Sequence, residues 1–259
     1  MLGAKAKGET VRKREWMRCR DPEAMLRQVA MTLYPLAHLP LPPQCHPRLD
    51  PILLRRFRIF TLTAVRAALI RVNHAACQAA AEVGWRLAEG LASAEEIARS
   101  DAALRVAWEE GWEATLVYFE APAEVWRFPR LVKVLALLFS EPVDAARTLV
   151  VPESLVHPGQ PIPLLTSEET QDCCWLLRDI FGDRGAVLTS PEWQEAWRTD
   201  TAIALARQMY ESRDFGAMPI LADALQDAGC DNADILTHCR GPGPHVRGCW
   251  VVDLVLGKG

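Results

Sequence analysis

Apolar positions recur every three or four residues along most of the chain. Behind Asp50, the residues Ile52, Leu53, Phe57, Phe60, Ala64, Ala68 and Ile70 form one stripe, with Arg55, Arg56, Arg58, Arg66 and Arg71 mostly between them. That spacing predicts an amphipathic helix of several turns. The same pattern predicts helices over Ala75 to Leu87, Glu95 to about Phe119, Ala123 to Phe139, Glu168 to Phe181, Thr199 to Glu211, Pro219 to Ala228, and Ala233 to Cys239. Start signals accompany several of them. Asp21-Pro22-Glu23, Asp50-Pro51 and Ser190-Pro191-Glu192 each put a capping oxygen before a proline, whose missing N–H would have been an orphan in the first turn. Ser93-Ala94-Glu95-Glu96 reads as a capping box, and Gly182 and Gly229 stand where helices end.

Strand signals are few. Leu149-Val150-Val151 is a short β-branched run, and Trp250 to Leu256 fits either a short strand or a final buried helix. No tight hairpin dipeptide is present, and Gly241-Pro242-Gly243-Pro244 can only be a loop. The expected fold is therefore all-α, an irregular multi-helix bundle, either continuous or in two lobes. Proline-rich stretches divide it: residues 1–20 form a basic flexible tail, 21–151 an N-terminal helical lobe, 152–166 a connector with four prolines, and 167–259 a C-terminal helical lobe. A second connector runs from Pro35 to Pro51.

Charge changes the picture at one end. The first twenty residues carry seven cations against two acids, +5, so the remainder carries −9 of the net −4. Such an arm could neutralise phosphates, which makes nucleic acid a candidate partner, although a solvated tail is the commoner outcome. The arm has no apolar stretch of a secretory signal, and the strongest apolar run, Leu131 to Phe139, is about half the roughly 20 residues needed to cross a bilayer. A soluble cytoplasmic protein without membrane attachment is expected. In that setting the eight cysteines are expected to be reduced, and several of them, Cys77 included, to be small buried hydrophobes.

Three segments resemble a paralogous family of planctomycete proteins to which no activity is assigned. They are Glu15-Trp16-x-x-Cys19-x-Asp21-Pro22-x-x-Met25-Leu26, then Cys174-x-Leu176-Leu177-Arg178-Asp179-Ile180-Phe181-Gly182, then Pro219 to Leu225 with Ala228-Gly229-Cys230. The run His238-Cys239-Arg240-Gly241-Pro242-Gly243-Pro244-His245-Val246-Arg247-Gly248-Cys249-Trp250-Val251-Val252-Asp253 is similar to that family's signature almost letter for letter. The resemblance implies a bacterial, intracellular setting and supplies no catalytic residues to carry over. Members also carry adjacent cysteines in the long helix, where this chain reads Thr63 to Ala68.

The cysteine-rich C-terminal region holds the candidate chemistry. Cys230, His238, Cys239, His245 and Cys249, with Cys173 or Cys174 added from the preceding helix, offer the thiolates and imidazoles that zinc prefers. Spacing weighs against the full set, since the adjacent His238 and Cys239 point about 100° apart on a helix and no C-x-x-C pair occurs. The bland alternative is that the cysteines fill core positions. Arg240, His245 and Arg247 flank three glycines and could bind an anion or a partner's carboxylate, with a helix starting near His245 to help. Pairing of the arginines with Asp223, Asp227 or Asp253 is the competing outcome. A nucleophilic Cys249, with His245 and Asp253 four residues to either side, would need an exposed thiolate that the Trp250 to Leu256 run argues against. Phosphate-binding glycine motifs and the G-x-S-x-G elbow are absent. The sequence thus favours an intracellular helical interaction or regulatory module without catalysis and with another protein as partner. A zinc- or anion-binding protein is the first alternative, a nucleic-acid-associated one the second.

Overall fold

The computed structural model describes residues 13–33, 50–117, 123–150, 164–182 and 193–258. Among them the chain is all-α, with 13 α-helices, one 3-10 turn at Glu195–Trp197 and no strand. In order these are α1 (Lys13–Arg18), α2 (Pro22–Leu33), α3 (Pro51–Ala64), α4 (Arg66–Val72), α5 (Ala75–Ala88), α6 (Ala94–Val117), α7 (Ala123–Ser140), α8 (Pro142–Val150), α9 (Ser167–Phe181), α10 (Asp200–Ser212), α11 (Met218–Asp227), α12 (Ala233–Arg240) and α13 (Trp250–Leu256). No described helix is long and apolar enough to cross a membrane.

The caps explain where the helices begin. Asp21 accepts from the backbone N–H groups of Glu23 and Ala24 at 3.0 and 3.2 Å, and Asp50 accepts from Ile52 at 2.8 Å. Ser93 and Glu96 satisfy each other's backbone donors at 3.2 and 2.8 Å. Each such cap contributes about 1 kcal/mol by supplying an acceptor to a donor with no helical partner. The Ser190-Pro191-Glu192 start signal, the Pro152 to Pro163 connector and residues 1–12 of the basic tail lie outside the described residues.

Two readings of the pattern change. The stripe behind Asp50 is not one helix: α3 closes at Val65, whose N–H reaches the carbonyls of Thr61 and Thr63, and α4 resumes at once. Leu149 and Val150 are the end of α8, and Trp250 to Leu256 is α13, so neither β-branched run is a strand. Each lies against apolar neighbours, where burial outweighs the modest strand preference of valine.

Two groups of buried side chains form the interior. The first draws on α1 to α9, with Trp16, Phe57, Phe60, Leu135 and Leu177 fully buried. The second draws on the 3-10 turn and α10 to α13, including Met209, Leu221, Ile235 and Val252. The helix α9, grouped by its place in the chain with the C-terminal lobe, sends Cys173, Cys174, Leu177, Ile180 and Phe181 into the first group. Its outer end is tied to α1, where Trp16 Nε1 donates to Gly182 O at 3.0 Å and Arg178 Nη2 donates to Trp16 O at 3.1 Å.

Polar contacts join the two groups. Arg55 of α3 makes a two-pronged ion pair with the fully buried Asp253 of α13, and its Nη2 donates to Tyr210 Oη at 2.9 Å. The Tyr210 hydroxyl in turn donates to Glu89, which also accepts from Lys258 Nζ at 2.6 Å. A charge this deeply buried is tolerated only with a partner. The network therefore fixes how α13 meets α3.

Candidate metal centre

Four side chains from three segments meet beside that junction. Asp179 comes from the last turn of α9, and His238 from the last turn of α12. His245 and Cys249 come from the loop that follows α12. Asn232 sets the start of α12 by accepting from the N–H groups of Asp234 and Ile235 at 3.0 and 3.2 Å. This start places His238 on the face turned to α9, one position before a cysteine turned the other way. Gly248 then holds the loop close to α3 at φ +93°, a conformation that side chains with a Cβ rarely adopt, and Cys249 follows as the residue before α13.

The polar atoms converge. His245 Nδ1 lies 2.7 Å from Asp179 Oδ1 and His238 Nε2 lies 3.2 Å from the same oxygen. His238 Nε2 is 3.3 Å from Cys249 Sγ, which is 3.9 Å from His245 Nδ1. One atom from each residue falls within a 4.8 Å span, and the group could hold a metal ion. Side-chain exposure is 8% for His238, 6% for His245 and 1% for Asp179, and Cys249 is fully buried. The second carboxylate oxygen of Asp179 accepts from the Val246 N–H at 2.9 Å, which locks the carboxylate to the loop that carries two of the other groups. Among the described residues His245 Nε2 is buried with no hydrogen-bond partner, and the hydrogen bond that the ring does make points into the centre.

Burial alone would raise the Asp179 pKa, but hydrogen bonds and charge from His238 and His245 outweigh it and hold the carboxyl below its ordinary value. Burial, with the nearby Asp179 charge, pushes the Cys249 thiol up to about 12. A neutral buried thiol is a poor nucleophile, whereas a coordinated one is deprotonated outright by the metal.

The four side chains could hold a metal ion, and their geometry differs from that of a Cys–His–Asp proton relay. In a Cys–His–Asp relay the two ring nitrogens of one histidine serve different partners. Here a single nitrogen of each histidine faces both the carboxylate and the thiol. Asp253, four residues after Cys249, points away to Arg55.

The remaining candidates from the sequence lie elsewhere. Cys230 and Cys239 are buried in the second interior group, and burial pushes the Cys239 thiol up to about 12. The 100° turn between neighbours on α12 sends His238 to the centre and Cys239 to the core. Cys173 and Cys174 are likewise packed in the first group. Arg240, His245 and Arg247 do not converge on an anion. Arg240 Nη2 donates to Asp223 Oδ1 at 2.7 Å and to Gln226 Oε1 at 2.8 Å, His245 faces Asp179, and Arg247 Nη2 donates to the Tyr210 carbonyl at 3.0 Å with its guanidinium over the Tyr210 ring. The helix expected near His245 begins only at Trp250, so its N–H groups are not offered to that loop. Asp179 is the member of the cage that spacing alone did not mark. Its signal was a carboxylate set within the apolar stretch Leu176, Leu177, Ile180, Phe181, where a charge needs a partner.

Compared with known proteins, the chain matches no protein-family model, no curated protein and no solved structure.

Proposed function

We propose that this protein is a non-catalytic intracellular interaction module whose C-terminal helices are fixed by one structural zinc ion. The ligands are Asp179 Oδ1, His238 Nε2, His245 Nδ1 and Cys249 Sγ. The observation that carries the reading is the convergence of a single donor atom from each of four residues on one buried point. Bonds of 2.0–2.3 Å to a tetrahedral zinc put its ligands about 3.3–3.8 Å apart. Four of the six separations, from 2.7 to 3.9 Å, straddle that value and the whole group lies within 4.8 Å, so an outward shift of the Asp179–His245 pair together with an inward shift of the widest pair forms the cage. The donor set of one thiol, two imidazoles and one carboxylate suits zinc, while calcium and magnesium require more oxygens. Two anionic ligands also balance the charge of a divalent ion in a place without water access. All four ligand positions are filled by protein, which is the mark of a structural and not a catalytic zinc.

The test is elemental analysis of purified, tag-free protein, followed by cobalt loading of the metal-free chain. About one zinc per chain and a tetrahedral cobalt spectrum with a thiolate charge-transfer band are expected, the latter lost in Cys249→Ser. At free zinc about a thousandfold above the dissociation constant, binding stabilises the fold by about 4 kcal/mol. That corresponds to a melting shift of about 8–16 °C in a chain of this size. Absence of both zinc and cobalt binding would overturn the proposal.

A further inference from the structure

The helices α4 and α9 leave a groove between them, closed at one end by the loop before His245. The cavity measures about 590 Å³ and is lined by Arg66, Ala67 and Ile70 on one side, Asp172 and Trp175 on the other, and Pro244 at the end. One cross-groove ion pair already exists, since Arg71 Nη2 donates to Glu169 Oε2 at 3.0 Å. The next two charges along the walls, Arg66 and Asp172, are exposed, and neither side chain has a hydrogen bond or ion pair among the described residues. They line the same groove from different helices and do not pair with each other. Beside Arg66, one helical turn on, Ile70 is 70% exposed, the most exposed large hydrophobic side chain described.

We infer that this face pairs with a second copy of the same chain about a two-fold axis. A two-fold interface matches residue i to residue j and j back to i. Arg66 of each copy then faces the second copy's Asp172, so the two unpaired charges of one groove become two ion pairs across the dimer. Ile70 is exposed at a groove lined by Ala67, Trp175 and Leu176, so the same rotation offers each Ile70 to the other copy's apolar lining. A knob, a hole and two opposite charges on one patch are what self-recognition requires. This pairing does not depend on the metal, because its charged pair lies outside the cage.

Sedimentation velocity on the full chain tests it. The wild type is expected to show a concentration-dependent monomer–dimer equilibrium. Arg66→Asp makes both facing charges negative and Asp172→Arg makes both positive, so each variant alone should dimerise at least about tenfold more weakly. An equimolar mixture of the two variants restores opposite charges at both contacts and should form a heterodimer. Ile70→Asp should remain monomeric in every combination. Circular dichroism establishes that each variant is folded. A wild type that stays monomeric at every concentration, a dimer indifferent to both charge reversals, or a mixture that fails to pair would overturn the inference.

Discussion

Replacing Gly248 by alanine perturbs the centre through the backbone without removing a ligand. Gly248 sits at φ +93°, and a Cβ built there would lie 2.7 Å from Ile59 Cγ2 and 3.2 Å from Ile59 Cδ1. The Cγ2 atom cannot swing away, because Ile59 is β-branched, fully buried and inside α3. The backbone conformation costs an alanine about 1–3 kcal/mol. Overpacking against Ile59 adds about 1–3 kcal/mol more. The two costs separate in a double-mutant cycle. Ile59→Ala alone opens a cavity and destabilises by about 2–5 kcal/mol. In the double variant the clash is gone and the new methyl fills part of the cavity, so the sum of single effects should be undercut by about 1–3 kcal/mol, with the backbone cost and the rest of the cavity cost persisting. Urea unfolding of the chelator-treated proteins measures this free of metal binding. Zinc affinity, measured separately, should fall about 10–100-fold in Gly248→Ala, as it does when a ligand's support is disturbed. Additivity within about 0.5 kcal/mol would refute the reasoning, because it would mean that the loop does not rest on Ile59.

Three further outcomes follow from the geometry. Asp253→Asn removes the closer of the two carboxylates of Arg55, leaving Glu89 at 3.6 Å, and should destabilise by about 2–4 kcal/mol in urea unfolding, while Arg55→Met with Asp253→Leu should recover part of the loss. The folded pKa of Asp179 lies below its unfolded value, so its contribution is complete above the unfolded pKa and is lost as pH falls through the folded one. Asp179→Asn should then be the less stable protein near neutral pH and should lose stability less steeply in acid, as urea midpoints of the metal-free proteins across that range will report; parallel acid limbs would contradict it. Thiol labelling of native protein at mildly alkaline pH should leave the fully buried Cys239 and Cys249 unreacted until urea is added, with the half-buried Cys19 reacting first among the described cysteines; fast native labelling of Cys249 would argue against a closed centre.

Most of the helical frame could be read from local chemistry. Asp21, Asp50 and Ser93 announce their helices because a cap is made within four residues, and the same logic would have found Thr166 with Glu169, whose reciprocal capping box starts α9. The break at Val65 was hidden for the opposite reason. Leu62, Val65 and Ala68 are all buried, so the apolar stripe runs unbroken through a backbone interruption. In α13 the pattern carried no period at all. Trp250, Val251, Val252, Asp253, Leu254 and Val255 are buried on every face, and a segment covered on all sides shows neither the 3.6-residue nor the 2-residue repeat.

The centre was half legible because its parts obey different distances in the chain. His245 and Cys249 are four residues apart and His238 only seven earlier, so all three fall inside one conspicuous run. Asp179 joins them across 66 residues, which no spacing rule anticipates. What brings it there is packing: α9 belongs to the first interior group, the loop's Val246 packs on that group and donates its N–H to Asp179, and Arg55 with Asp253 docks α13 on α3 beside them. The Asp253 N–H donates to the Cys249 carbonyl at 2.9 Å, so the residue that anchors α13 and the thiol of the cage share one helical turn. Gly248, adjoining that thiol, lies against Ile59, one turn beyond Arg55 on α3. Docking of the C-terminal helices and alignment of the four ligands are therefore one event. Loss of the Arg55–Asp253 pair should weaken zinc binding although neither residue touches the metal, and zinc should in turn stabilise the contact between the two interior groups by the same free energy.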